Sequence, residues 1–203
     1  MTHVVRSELI LGGQKSGKSR RAESLAQHWL GSGGQRSAIM IATAQAFDDE
    51  MRTRIDRHRQ DRSVRVPGMR TIEEPLALAA TITSHSEPNT LIVVDCLTLW
   101  LTARLMPPDS NPAPVSEAAR VKGLDQASTA WPTIATDLCS AITQAPGPLI
   151  LVGNEIGLGV IPLGREVRAF VDALGLLNQM VAASCERVTL MSAGLPLTLK
   201  GHA

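Results

Sequence analysis

Residues 9–23 read "LILGGQKSGKSRRAE". Gly12, Gly17, Lys18 and Ser19 satisfy the pattern G-x-x-x-x-G-K-[ST], with a short apolar run before it and an amphipathic, helix-forming run after it. That order, strand then glycine loop then helix, is what a phosphate cradle requires. Glycines let the chain curl until the N–H groups of Gly13, Gln14, Lys15 and Ser16 converge on one concavity. The helix that follows adds the positive end of its dipole. In such a loop Lys18 bridges the β- and γ-phosphates, and the Ser19 hydroxyl ligates Mg²⁺. The stretch predicts a nucleotide site on an α/β scaffold.

Working outward, short apolar runs alternate with longer helical patterns. Strands are expected at 8–13, 37–44, 90–96, 148–154 and 187–194, each nearly continuous in apolar residues, as suits strands of a parallel sheet covered on both faces. Helices are expected near 18–30, 49–61, 75–84, 97–105, 116–144 and 164–183. The alternation predicts an α/β doubly wound sheet with helices on both faces. No internal repeat or second core divides residues 1–203. The stretch "MPPDSNPAPVS" (106–116) reads as an exposed loop.

Composition narrows the function. The formal net charge is +1 and aromatic residues make up 2% of the chain. Neither a basic footprint nor a base-stacking platform is available, so no nucleic-acid partner is expected. No apolar run approaches the roughly 18 residues of a spanning helix. With no membrane segment and no signal peptide, the expected location is cytoplasmic. Cys96, Cys139 and Cys185 form no C-x-x-C pair, and are expected to be reduced and buried.

A metal partner is expected at the end of a second buried strand. "TLIVVD" (90–95) ends in Asp95, where a carboxylate can hold a water of the Mg²⁺ shell; a helix N-cap is the alternative. No N-K-x-D guanine-reading motif occurs. The segment "RTRIDRHRQDR" (52–62) sets His58 among five arginines. Asp48 is a candidate N-cap, with Asp49 and Glu50 in the first helical turn. Met51, Ile55 and His58 share one stripe, so His58 could simply complete an apolar face. Alternatively Arg54 and Arg62, four residues either side, and Arg65 beyond, keep the imidazole neutral and nucleophilic while receiving a triphosphate. On these residues alone, a small-molecule kinase with an arginine lid is as acceptable a reading.

Six stretches together resemble the bifunctional adenosylcobinamide kinase / adenosylcobinamide-phosphate guanylyltransferase family: "LGGQKSGKSRRAE" (11–23), "IATAQAFDDEMRTRIDRHRQDR" (41–62), "TIEEPL" (71–76), "LIVVDCLTLWLT" (91–102), "VGNEIGLGVIP" (152–162) and "LLNQMVAASCERVTLMSAGLPLTLK" (176–200). The resemblance implies a RecA-like P-loop NTPase fold, a homotrimer, and a corrinoid together with GTP and ATP as substrates, with Mg²⁺. It implies phosphorylation of an aminopropanol hydroxyl, then transfer of GMP through a guanylylated histidine matching His58. Nucleotide contacts are implied at Ala42, Thr43, Ala44, Arg54, Arg59, Arg62, Glu73 and Asp95, besides the loop Gly12–Ser19. The chain departs from the pattern at Arg57, where some relatives have a second histidine, and at Met69, where a tryptophan is expected.

Other residues carry weaker expectations. Glu73 and Glu74 could contact a ribose, or cap a helix opened by Pro75. Asn154 and Glu155 stand at the C-terminal end of a strand, where open α/β sheets bind ligands. Gly157 and Gly159 follow them. His3, His28, His85 and His202 are expected at the surface. Arg165 and Arg168 could contact phosphate or a neighbouring subunit.

Overall fold

A computed structural model describes residues 3–46, 49–106 and 117–202, with side chains described throughout these spans except at Arg54, His58 and 117–130. The elements run β1 (Ser7–Gly12), α1 (Lys18–Gly31), β2 (Ser37–Ala42), α2 (Asp49–Arg65), β3 (Arg70–Glu73), α3 (Leu78–His85) and β4 (Thr90–Asp95). There follow α4 (Leu97–Leu105), α5 (Glu117–Gln144), β5 (Leu149–Val152), α6 (Arg165–Ser184), β6 (Arg187–Ser192) and β7 (Leu195–Lys200). One seven-stranded sheet has the order β3-β2-β4-β5-β1-β6-β7. Every pair is parallel except β6 with β7.

The continuous apolar runs of β1, β2, β4 and β5 follow from cover on both faces. Leu9, Leu11, Ile92, Val94, Leu149 and Leu151 meet α3, α4, α5 and α6 through side chains such as Ile82, Trp100, Leu138 and Leu177. The alternate residues Ile10, Met40, Leu91, Val93 and Ile150 meet α1 through Ala22, Leu25 and Ala26, together with Val66 just after α2. This is the α/β P-loop fold class expected from the phosphate loop and the alternating elements.

Two strands escape the apolar-run criterion. β3 is largely exposed, as an edge strand is. β7 begins "LP" and lies antiparallel on the opposite edge, where a proline is tolerated. The third helix starts at Leu78 and not at Pro75, because the Glu74 carboxylate accepts from the N–H groups of Leu76 and Ala77 and holds a turn there. The expected N-cap Asp48 and loop residues 107–116 lie outside the described residues.

One buried charge cluster pins β1 to its surroundings. Glu8 is 1% exposed. Its carboxylate accepts from Arg21 at 2.9 and 3.0 Å, from the Thr189 hydroxyl at 2.7 Å and from Arg187 at 3.4 Å. Removing one partner of a buried pair leaves the other charge uncompensated. Glu8→Ala is expected to lower stability by about 3 kcal/mol, read as a fall in the urea midpoint. An unchanged midpoint would show that Arg21 and Arg187 find water instead.

Candidate active site

The ends of the strands assemble the site. Parallel pairing brings the C-terminal ends of β1–β6 to one edge of the sheet, where ligands bind in folds of this class. Register sets Ala42 beside both Asp95 and Glu73, and Asp95 beside Val152.

The loop after β1 is built for close backbone approach. At Gly12, φ is 152°, and an added Cβ would lie 2.5 Å from the Met191 carbonyl oxygen and 2.6 Å from Ser16 Oγ. Gly17, at φ 101°, would set a Cβ 3.2 Å from Gly194 Cα. Lys15 adopts φ 56°, unusual for a residue with a side chain, as the curl of an anion-binding nest demands. The β6–β7 turn braces this loop: the Gly194 N–H donates to the Ser16 carbonyl at 3.0 Å. Ser16 Oγ is buried with no hydrogen-bond partner among the described residues, a cost of about 1–3 kcal/mol that a polar ligand would remove. Gly13, Gln14 and Lys15 stand exposed along the loop, and Ser19 is half-buried in the first turn of α1.

Lys18 is 8% exposed, and its Nζ donates to the Gly13 carbonyl at 2.6 Å. Burial lowers its pKa, opposed by charge on Cys96 and Asp95. Burial also pushes the Cys96 thiol up to about 11. That thiol is therefore neutral near pH 7, and Asp95 is the anion Lys18 feels. Asp95 acts on Arg62 as well, whose own pKa burial lowers. Arg62 is 8% exposed and donates to the Thr71 hydroxyl at 3.4 Å. Lys18, Asp95 and Arg62 thus form one electrostatic group drawn from α1, β4 and α2.

The remaining candidates divide. Thr43 is buried, and its hydroxyl donates to the Cys96 carbonyl at 2.7 Å and accepts from the Cys96 N–H at 2.9 Å. It joins the end of β2 to the end of β4, with Ala42 and Ala44 half-buried beside it. Arg59 and Glu73 form an ion pair, and Arg59 is also among the charges that act on Arg62. Arg65 instead pairs with Glu23 at 2.8 Å, tying α2 to α1. His58 lies on α2 one turn before Arg62; its side chain and that of Arg54 lie outside the described residues. His85 is half-buried rather than exposed, while His3, His28 and His202 are exposed.

Two residues of this edge carry no sequence signature of their own. Thr98 accepts from the Asn154 N–H at 2.8 Å, and Asn178 Nδ2 donates to the Asn154 carbonyl at 3.1 Å. Both are buried, on α4 and α6. A polar residue on the inner face of an apolar helix was the available clue.

An oxygen donor set of the Ser19 hydroxyl and the Asp95 carboxylate suits Mg²⁺, which takes one or two carboxylates and completes its shell with water and substrate phosphates. Among the described residues no cluster of three or more His, Cys, Asp or Glu could hold a metal, so nothing points to an all-protein cage.

Residues 8–199 match the family model described as cobinamide kinase / cobinamide phosphate guanyltransferase. A Pseudomonas aeruginosa protein named bifunctional adenosylcobalamin biosynthesis protein CobP is 47% identical over 195 residues, covering 96% of this chain and 98% of that one. The Escherichia coli protein named bifunctional adenosylcobalamin biosynthesis protein CobU is 33% identical over 192 residues, covering 95% and 98%. A solved Pyrococcus horikoshii structure superposes with a TM-score of 0.52 at 8% identity, covering 99% of this chain and 89% of that one. That likeness concerns the fold alone.

Proposed function

The chain belongs to the cobinamide kinase / cobinamide phosphate guanyltransferase family, and from that premise we propose that a single crevice along the C-terminal edge of the sheet serves both of its reactions. The chain is a cobinamide kinase and a cobinamide-phosphate guanylyltransferase of adenosylcobalamin biosynthesis. The observation that carries the assignment of the site is the electrostatic group of Lys18, Asp95 and Arg62 beside a loop shaped for phosphate.

In the kinase step, N–H groups of Gly13–Ser19 hold the nucleoside triphosphate, ATP or GTP. Lys18 follows the negative charge as the γ-phosphoryl group moves to the hydroxyl of adenosylcobinamide. Ser19 and Asp95 would hold Mg²⁺, which when bound neutralises phosphate charge. Ala42, Thr43, Ala44 and Glu73 line the side of the crevice toward the nucleoside. In the second reaction His58 attacks the α-phosphorus of GTP. Its nitrogen–phosphorus bond forms as pyrophosphate leaves, and the cobinamide phosphate then takes the GMP group and frees the imidazole. Arg54, Arg59 and Arg62 meet the phosphates, Arg59 exchanging Glu73 for them.

Asp95→Asn keeps the shape and removes the charge facing both cations. Both reactions are expected to need roughly tenfold more Mg²⁺, the scale of change seen when the surroundings of a metal ligand are altered. A Mg²⁺ titration of each activity checks this. An unchanged curve would reduce Asp95 to a structural terminus of β4.

We also read the enzyme as a cytoplasmic homotrimer. Among the described residues no helix is long and apolar enough to cross a membrane. Leu158, Val160, Ile161 and Leu163 expose 76–96% of their surface on the isolated chain, more apolar area than a lone surface loop usually shows. Sedimentation at micromolar concentration tests the assembly, and a monomer would contradict it.

A further inference from the structure

The kinase step must dispose of the proton on the acceptor hydroxyl, and none of the residues assigned so far takes it. Sheet order sets one turn between the phosphate loop and Asp95. β5 lies between β1, which leads into Lys18, and β4, which ends in Asp95. At about 4.8 Å per strand, a phosphate and metal held between those residues span roughly 10 Å across the end of β5. What emerges there is Gly153-Asn154-Glu155.

This turn is held from three sides. The Gly153 N–H donates to the Ile10 carbonyl at 3.0 Å, and the Glu155 N–H to the Gly12 carbonyl at 3.1 Å, the first residue of the phosphate loop. Between them Asn154 is gripped through its N–H by Thr98 and through its carbonyl by Asn178. Asn178 is 4% exposed, and its Oδ1 is buried without a hydrogen-bond partner. It lies so close to Gly153 that a Cβ there would meet it at 3.4 Å, and Leu11 at 3.1 Å. These bonds fix the backbone from which the Glu155 side chain projects. Glu155 is half-buried, and one carboxylate oxygen accepts from the Gly157 N–H at 2.9 Å. Among the described residues no cation pairs with it.

We propose that Glu155 is the general base of the kinase step, and that Thr98 and Asn178 are its positioning residues. The Glu155 carboxylate accepts the hydroxyl proton as the oxygen's electron pair forms the bond to the γ-phosphorus. The bond from that phosphorus to the β–γ bridging oxygen breaks, and the nucleoside diphosphate leaves with its electrons. The proton then passes from Glu155 to water. Guanylyl transfer has no use for this base, since its nucleophilic atoms, an imidazole nitrogen and a phosphate oxygen, attack through lone pairs that carry no proton.

The inference rests on the kinase assignment above, and the test separates the two. Glu155→Gln is assayed for adenosylcobinamide phosphorylation at saturating nucleotide, for nucleotide KM, and for GMP transfer to preformed adenosylcobinamide phosphate. Kinase kcat is expected to fall by about 10²- to 10⁴-fold, the range of general-base catalysis, with nucleotide KM and GMP transfer within about threefold of wild type. Thr98→Val is expected to lower kinase kcat by about tenfold with unchanged nucleotide KM, and Thr98→Ser, which keeps the hydroxyl, to restore it. Kinase activity of Glu155→Gln within threefold of wild type overturns the assignment, and so does a parallel loss of GMP transfer. A wild-type chain that does not phosphorylate adenosylcobinamide at all would sink the kinase reading itself, and Glu155 with it.

Discussion

Lys18→Ala is expected to reduce adenosylcobinamide phosphorylation by about 10³-fold, the upper end of what losing one preorganised donor costs. Lys18 is buried and tethered to the Gly13 carbonyl, with Asp95 as its neighbouring anion. Its ammonium is therefore in place before any nucleotide arrives, and its electrostatic effect is strengthened by the absence of bulk water around it. Because the charge it serves develops as the γ-phosphoryl group moves, the loss should appear in kcat more than in nucleotide KM. Lys18→Arg should not rescue, since a planar fork does not replace a point charge in so tight a loop. A variant retaining near wild-type turnover would show that the loop does not hold the reacting phosphates.

His58→Ala should abolish guanylyl transfer while sparing much of the kinase reaction. An imidazole that carries GMP divides one displacement at the α-phosphorus into two, and no other histidine is described near the group of Lys18, Asp95 and Arg62 to take over. His58 belongs to α2, the helix whose Arg62 is buried against that group. The direct phosphoryl transfer proposed for the kinase step draws on Lys18, Ser19 and Glu155, and on no histidine. Measured side by side, the two activities should diverge by more than about 10²-fold. Equal losses would mean that the substitution had disturbed α2 as a whole.

The core of this fold was legible because β1, β2, β4 and β5 are covered on both faces, and double cover leaves a continuous apolar run. β3, with the sequence "RTIE", has no such run, since at the sheet edge its stability comes from pairing with β2. β7 was hidden by its proline and by its antiparallel direction, which the parallel pattern does not anticipate. The loss mattered for the site: the turn joining β6 to β7 braces the phosphate loop through Gly194 and Ser16, a contact between residues far apart in the chain.

Within the site, the places of Gly12–Ser19 and Asp95 could be read directly because each stands at the end of a continuous apolar strand. Arg62 was legible as a cation but not as a buried one, since its cover depends on how α2 meets β3 and β4. Arg65 looked the same in sequence, yet it serves the fold through Glu23. Thr98 and Asn178 were legible only as polar residues on apolar helices, and not as holders of the turn at Asn154. Their partners are backbone atoms of a loop on another element, and backbone partners leave no mark on sequence pattern.

The central claim is that GMP travels through His58, and the wild-type protein tests it without any substitution. Incubated with Mg²⁺ and GTP labelled at the α-phosphate, with no corrinoid present, the protein should retain label, and GTP labelled at the γ-phosphate should leave none. The bond should be lost in acid and survive alkali, as a nitrogen–phosphorus linkage does. Peptide mapping should place the label on His58, and adding adenosylcobinamide phosphate should discharge it as adenosylcobinamide-GDP. A wild-type protein that transfers GMP yet never retains label, or retains it on another residue, would contradict the account.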